Sequence, residues 1–594
     1  MSATASMPTW SLEPLFSGLP SDDYTVARER FAAELDAAEQ DFDRWGIDGG
    51  DRLSGDQSAT CADCVDRLNA LSTTYRPIRS FVYAFVTTDA THEAAQKEMS
   101  VLAKLSVRLG KLDTRWTAWL GRVDVESLWT NPVNRAHEFP IRKRNTESQK
   151  MMSPAEEALA ADLSEYGGGA WSRLYGNFSS QIEVEIEGET VSMSTARTRA
   201  YDRDSDTRRA AYEAELKAWK RNEVPIAAAM NALKGESRYL TEKRGWDSVL
   251  DMILFENNMS RGALEAMLDA ARDSFPQWRR YLRAKAHALG YSGGLKFYDL
   301  YAPVGAETEY QYDHAERFVE DQFRAYSDKM GDLAARSAAE RWVDAAPRQG
   351  KRDGAFCMGV LPGVSRILMN YKPAFGSVST LAHELGHAYH NLCLAERTPL
   401  QMETPMPLAE TASIFCETII KRKMLGEVEG DEKVAILDAT LQGECQVVVD
   451  ITSRFLFEDE VIRRRGASEL TAGELCAIMT DAQLKTYGDG LDSDALHPYM
   501  WAVKPHYYGY RGYYNFPYMF GLLFALGLYA IYEKQPEGFH GRYDDLLSST
   551  GLYPAVELAN RFGINIEDKA FWAGSLSVLS DDIDDFVAAV GASV

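Results

Sequence analysis

Apolar residues recur at three- and four-residue intervals over 24–47, 60–87, 91–121 and 147–163, with Gly, Pro and Asp between these segments. That spacing puts the apolar side chains on one face of an α-helix, so four helices are expected here. The pattern changes at "QIEVEIEGETVSMS" (181–194), where apolar and polar residues alternate around Glu187-Gly188. This is the signature of a β-hairpin. Helical spacing returns at about 195–243 and 261–288. Two short extended runs, "GAFCMGV" (354–360) and "RILMNYK" (366–372), lie directly ahead of a histidine-bearing helix. After 405 the pattern is helical almost to the end, with neither an internal repeat nor a low-complexity linker. A boundary is expected near 190, at the hairpin, dividing the chain into 1–190 and 191–594.

Length and charge narrow the picture. A chain of 594 residues is too long for a single core, and ~150 residues per domain suggests roughly two to four. The 64 basic residues against 88 acidic ones give a net charge of −24. That argues against a nucleic-acid binder or an anionic-membrane binder, both of which need clustered Lys and Arg. Seven cysteines, at 61, 64, 357, 393, 416, 445 and 476, are dispersed and odd in number, so no disulfide framework is expected. Cys61 and Cys64 form a lone CxxC on a helical pattern and are read as coincidence. The opening "MSATASMPTWSLEPLF" has no basic n-region and no apolar h-region, so no signal peptide is expected. The most apolar run, 518–532, is read as too short to span a membrane and right for a buried helix. A cytoplasmic location is the expectation.

The stretch "TLAHELGHAYHNLC" (380–393) holds three of the chain's ten histidines. His383 and His387, four apart, project from one helix face, where both can reach a zinc ion at ~2.0–2.1 Å. Glu384 can take a proton from a water that the metal has acidified. The composition allows only about 0.025 chance occurrences of this HExxH pattern. His390 lies beyond the i, i+4 pair and is read as supporting or packing.

A catalytic zinc takes three protein ligands and keeps one open position. Positions 390 and 393 carry His and Cys rather than the Gly and His of the metzincin pattern, so the third ligand must lie elsewhere. Glu396, Glu403, Glu410 and Glu417 follow at seven-residue steps, and Pro399, Pro405 and Pro407 delay the next helix until "MPLAETASIFCETII". Its apolar neighbours Leu408, Ala412, Ile414 and Phe415 predict burial, where a carboxylate needs a strong partner. Glu410 is read as the third ligand and Glu417 as the group that orients a ligating histidine.

The segment "HPYMWAVKPHYYGYRGYYNFPY" (497–518) carries seven of the chain's 29 tyrosines. Tyrosine hydroxyls and a histidine N–H are the donors that stabilise an oxyanion after attack on an amide, and Gly509 and Gly512 would let the loop close. By itself the segment reads as an aromatic packing cluster; beside a hydrolytic zinc site the catalytic and packing readings stand about even.

In this order, "WSLEPLF", "AFC", "ILMNY", "TLAHELGHAYH", "AETASIFCE" and the later His–Tyr–Gly loop resemble oligoendopeptidase F, the bacterial branch of the thimet oligopeptidase family of zinc peptidases. The resemblance spans most of the chain and is specific in 354–417 and 497–520. It implies a mainly α fold, a two-lobed helical shell around a deep channel, with a small sheet beside the HExxH helix. It implies one zinc per chain on His383, His387 and Glu410, with Glu384 as general base. His506 and Tyr518 match the family's substrate-binding histidine and distal tyrosine. Arg511 stands where the oxyanion tyrosine aligns, which leaves that hydroxyl to Tyr510, Tyr513 or Tyr514. "RILMNYK", with Asn370, would be an edge strand pairing with the substrate backbone. The implied substrates are short unstructured peptides cut internally. Two rivals are a metallocarboxypeptidase, with Arg511 holding the terminal carboxylate, and a zinc-stabilised scaffold. A scaffold has no use for Glu384.

Overall fold

The computed structural model describes residues 7–47, 53, 55–306, 308–509 and 511–592. The first three helices form where the apolar spacing puts them: α1 (Asp22–Arg44), α2 (Gln57–Thr88) and α3 (Glu93–Leu120). Each is capped at its start, by Ser21, Asp56 and His92, whose side chains accept backbone N–H bonds that the first turn leaves unpaired. Their inward faces share one core that includes Phe31, Leu35, Leu68, Phe81 and Trp116. Cys61 and Cys64 are buried in it as free thiols, with burial pushing the Cys61 pKa up to about 12.

The helix expected over 147–163 is instead two, α4 (Glu138–Ser148) and α5 (Pro154–Tyr166). Pro154 has no N–H with which to continue a helix, and Ser153 and Glu156 form a reciprocal capping box that starts a new one. The hairpin forms as expected, β1 (Glu183–Ile186) against β2 (Glu189–Ser192). Glu187 and Gly188 turn it at φ 54° and 87°. Val184 and Ile186 point inward and share a second core with Trp219 of α6 (Ser205–Lys243), Trp501 and Tyr508. The third and largest core runs from α7 (Arg261–Ala288) to the C-terminal helices.

The small sheet is β3 (Val343–Asp344), β4 (Phe356–Leu361) and β5 (Val364–Leu368), in the order β3-β5-β4. β5 runs parallel to β3 and antiparallel to β4, so it is the central strand. The expected edge role of "RILMNYK" is therefore wrong. Arg366, Ile367, Leu368 and Met369 are all buried, and a strand covered on both faces belongs inside a sheet. The outer side of β3 is covered by the N-terminal segment, where Ser11 N–H donates to the Arg341 carbonyl and Ala345 N–H to that of Pro8. The edge left over is that of β4.

Next come α8 (Phe375–Cys393), α9 (Met406–Ala409), α10 (Thr411–Glu427), α11 (Gly430–Cys445) and α12 (Ile451–Arg465). The apolar run near 518 is α13 (Phe516–Lys534), and α14 (Lys569–Ala589) closes the chain. At 19 residues α13 exceeds the run read from sequence and is long and apolar enough to cross a membrane. It is nevertheless a core helix: 72% of its most apolar window is buried, with Phe520 packed edge-on against Trp572 of α14.

Candidate metal centre

His383 and His387 leave the same face of α8, their rings 4.8 Å apart. Glu410 meets them from the bend between α9 and α10. Its Oε2 lies 3.2 Å from Nε2 of His383 and 3.4 Å from Nε2 of His387. The sequence placed Glu410 inside one helix, but the helix breaks at Glu410, which caps α10 without a side-chain capping bond. Its carboxylate is thereby free to face α8. Ser413 Oγ donates to Glu410 Oε2 at 2.9 Å and holds its orientation.

Two glycines permit this meeting, and neither was singled out in the sequence. A Cβ on Gly386 would stand 2.6 Å from the Ala412 carbonyl oxygen and 2.6 Å from Ser413 Cα, so α8 can approach α10 this closely only without a side chain there. A Cβ on Gly521 of α13 would lie 2.8 Å from Cβ of Glu410. A glycine inside the HExxH spacing, despite its low helix propensity, was the available signal.

Charge around the cluster is strongly coupled. Burial favours neutral His383, but Glu417, with Oε1 3.5 Å from Nδ1, and Glu410 outweigh it and hold its pKa well above the usual histidine value. Burial would raise the Glu410 pKa, and hydrogen bonds from His383 and His387 drive it far below the carboxylate range instead. Glu417 also accepts a bond from Ser379 Oγ at 3.3 Å. The two carboxylates thus favour positive charge at this position. The donor atoms of His383, His387 and Glu410 all lie within 4.8 Å of one another. Three donors around a tetrahedral zinc stand roughly 3.3 Å apart, close to both imidazole–carboxylate separations.

Glu384 is 4% exposed, and its Oε2 has no hydrogen-bond partner among the described residues. Burial raises its pKa, with His383 and His387 pulling against the rise. His390 faces elsewhere: its Nε2 lies 3.1 Å from the Leu547 carbonyl and 3.0 Å from Thr550 Oγ1, and burial lowers its pKa to about 4. It packs and does not join the cluster.

The tyrosine-rich segment divides. His506 Nδ1 lies 2.8 Å from Asn515 Oδ1, which also accepts from Arg454 Nη1 at 3.0 Å, while Arg454 is ion-paired to Asp450. The His506 ring stacks on Tyr514 at 4.8 Å, and Tyr514 contacts Tyr518 at 6.0 Å between centroids. Tyr513 turns away at φ 53°, is buried, and donates its hydroxyl to Asp459 at 2.7 Å. It is not brought to the histidine cluster. Tyr510 lies outside the described residues. Arg511 pairs with Glu256 at 3.0 Å and lines a cavity with Asp113, Arg144 and Glu403, separate from the cluster. Asn370 donates to the carbonyls of Arg352 and Gly354, so its amide is already committed. Asn515 and Arg454, which fix His506, were not read from the sequence.

A cavity of about 460 Å³ opens at the cluster, lined by His383, Glu410, Glu417 and Tyr518 together with Ile414 and Leu522. Phe375, Gly376 and Ala439 border both it and a neighbouring cavity of similar volume.

The sequence profile of Peptidase family M3 matches residues 198–578. The chain belongs to peptidase family M3. A second profile, Oligopeptidase F, matches residues 120–183 and ends on the first residue of the β1–β2 hairpin. Among relatives, the M3 chain is 26% identical over 422 residues to the group B oligopeptidase PepB of Streptococcus agalactiae, covering 69% of each protein. A Chlamydophila abortus protein solved as a peptidase candidate shares its fold, with a TM-score of 0.84, 19% identity and 98% of each chain covered. The oligoendopeptidase-F of Enterococcus faecium does so with a TM-score of 0.68 and 17% identity, over 96% of this chain and 98% of that one. M3 membership makes the chain a metallopeptidase, and its mainly helical fold with small sheets is that of these neighbours.

Proposed function

We propose that this M3 peptidase is a zinc-dependent oligoendopeptidase of short unstructured peptides. The observation that carries the reading is the convergence of His383, His387 and Glu410 beside a buried Glu384 carboxylate with an unpartnered oxygen. One zinc per chain would be held by those three residues, with Glu417 orienting His383, and would supply Lewis-acid activation of water and of the peptide carbonyl. Glu384 Oε2 accepts the proton of the attacking water and returns it to the leaving amine. Tyr518, whose hydroxyl stays protonated because burial raises its pKa, donates to the developing oxyanion. Tyr514 and His506 flank it, and Asn515 fixes the histidine ring. The substrate-pairing role expected of "RILMNYK" passes to β4, whose outer edge offers main-chain partners to an extended peptide.

The carboxypeptidase alternative loses its cation, because Arg511 is paired with Glu256 and lines another cavity. We place the N-terminal lobe at 1–190 and the catalytic lobe at 191–594, with the first walling the site into a channel. The free, dispersed cysteines and acidic surface support a cytoplasmic enzyme that acts without nucleic acid or membrane.

Access then sets the length limit, and substrates of roughly five to twenty residues are expected at ~3.3 Å per residue. A short end-blocked peptide should be cut internally, while a loose full-length protein such as casein resists. Rapid cleavage of the intact protein at many sites would contradict the channel, and an uncut blocked peptide would contradict endopeptidase action.

A further inference from the structure

β4 lies between two helices. Phe356 packs on Tyr83 of α2, with ring centroids 5.5 Å apart, and the next residue, Cys357, is reached by Asn391 Nδ2 of α8 at 3.8 Å. Side chains alternate across a sheet, so a strand added at the open edge of β4 sends every second side chain toward α2 and the others toward α8. The α2 side carries three guanidinium groups. Arg76, Arg79 and Tyr83 share one face of α2, at i, i+3 and i+7. The Arg79 guanidinium stands 5.6 Å from the centre of the Tyr83 ring, and the Tyr83 hydroxyl accepts from Arg352 Nη1. Arg352 precedes β4, and its guanidinium lies 6.0 Å from the centre of the Phe356 ring. Arg76 has one polar contact, from Nη1 to Met402 Sδ at 3.4 Å. None of the three is ion-paired among the described residues, in a chain whose net charge is −24. Solvent reaches all of them, since Arg79 and Arg352 are exposed and Arg76 is half-buried. Burial lowers the Arg76 pKa, and no carboxylate opposes the shift. A partly desolvated cation without an anion is costly, and this one is in place before any ligand arrives.

We propose that Arg76, Arg79 and Arg352 form a carboxylate subsite, which selects peptides carrying an acidic group on the α2 side of the β4 edge. The carboxylate is supplied by a Glu or Asp side chain or by the free C-terminus of the peptide. A guanidinium matches a carboxylate with two parallel N–H bonds, which an ammonium cannot do. Contact with Tyr83 and Phe356 restrains Arg79 and Arg352, so less conformational freedom is lost when they bind. From Arg76 to Tyr83 the helix advances roughly 10 Å, the span of about three extended residues. Two side chains of a bound peptide, two positions apart, therefore face the patch, and the one between them faces α8. Lysine at either position meets like charge. The inference rests on the peptidase reading above and on the open edge of β4, and it adds the class of peptide selected.

The test uses end-blocked peptides identical except at one position, scanned to each side of the cut and carrying Glu, Gln, Ala or Lys. At two positions that are two apart, and not at the one between them, kcat/KM should rise in the order Lys, Ala, Gln, Glu. A second series keeps Ala throughout and compares a free C-terminus with an amide at increasing distance from the cut. A Glu preference in the first series assigns the side chain, and an advantage of the free acid in the second assigns the terminal carboxylate. Arg76→Gln should lower the carboxylate-to-amide ratio about ten-fold, the worth of one hydrogen bond to a charged group. Arg79→Gln and Arg352→Gln, at exposed positions, should each lower it about two- to five-fold. Raising the salt toward ~1 M should shrink the same ratio in the wild type, which tests the patch even if a variant fails to fold. Equal kcat/KM for Glu, Gln and Lys at every position, with no advantage of a free C-terminus, would overturn the assignment. A carboxylate preference unmoved by salt and by all three substitutions would do so too. Failure of the wild type to cut the Ala peptide would overturn the peptidase reading as well.

Discussion

Glu384→Gln is expected to lower kcat by about 10²–10⁴-fold while leaving metal content and fold intact. Glutamine keeps the volume and the buried position of Glu384, so packing under α8 changes little. It cannot accept a proton, and Glu384 Oε2 is an acceptor beside the cluster without a partner among the described residues. The surroundings suit a general base, because burial raises the carboxyl pKa and the adjacent imidazoles keep that rise in check. Single-turnover rates read alongside metal content by elemental mass spectrometry separate the two roles. Turnover within ten-fold of wild type at full metal content would remove Glu384 from the chemistry.

Gly386→Ala should strike the same centre without touching a ligand. The new methyl would have to occupy space 2.6 Å from the Ala412 carbonyl and Ser413 Cα, both backbone atoms that cannot rotate away. Either α10 moves or the variant loses stability, and forced overpacking of this kind typically costs about 1–3 kcal/mol. Glu410 sits at the first residue ahead of α10, so displacement of that helix carries the carboxylate away from His383 and His387. Metal affinity should therefore fall more than denaturant stability alone accounts for. A titration with a competing chelator, run beside chemical denaturation, compares the two. Wild-type affinity in a merely destabilised variant would show that the close crossing serves packing only.

Local chemistry was legible in the sequence where it repeats locally. The i, i+4 histidines fixed their own geometry on α8, and the periodic helices α1 to α3 formed where the apolar spacing put them. Glu410 could be chosen from spacing and burial, yet its position at a helix break, which frees its carboxylate, depends on how α9 and α10 pack. Where pairing was non-local, the sequence misled. "RILMNYK" and "GAFCMGV" are both short extended runs, and only the N-terminal segment folding back onto β3 decides which edge stays open. Tyr513 and Tyr514 are neighbours of one residue type. A left-handed backbone at Tyr513 sends one hydroxyl to Asp459 and leaves the other ring against His506, which no periodicity announces.

Internal peptide cleavage by this M3 chain should depend on a zinc ion held by His383, His387 and Glu410. A mixed pool of short peptides, incubated with the protein as purified, after metal stripping, and after return of one equivalent of zinc, with products identified by mass, tests that dependence most directly. Internal cuts should disappear on stripping and return with zinc. The same internal cuts from stripped protein would contradict it.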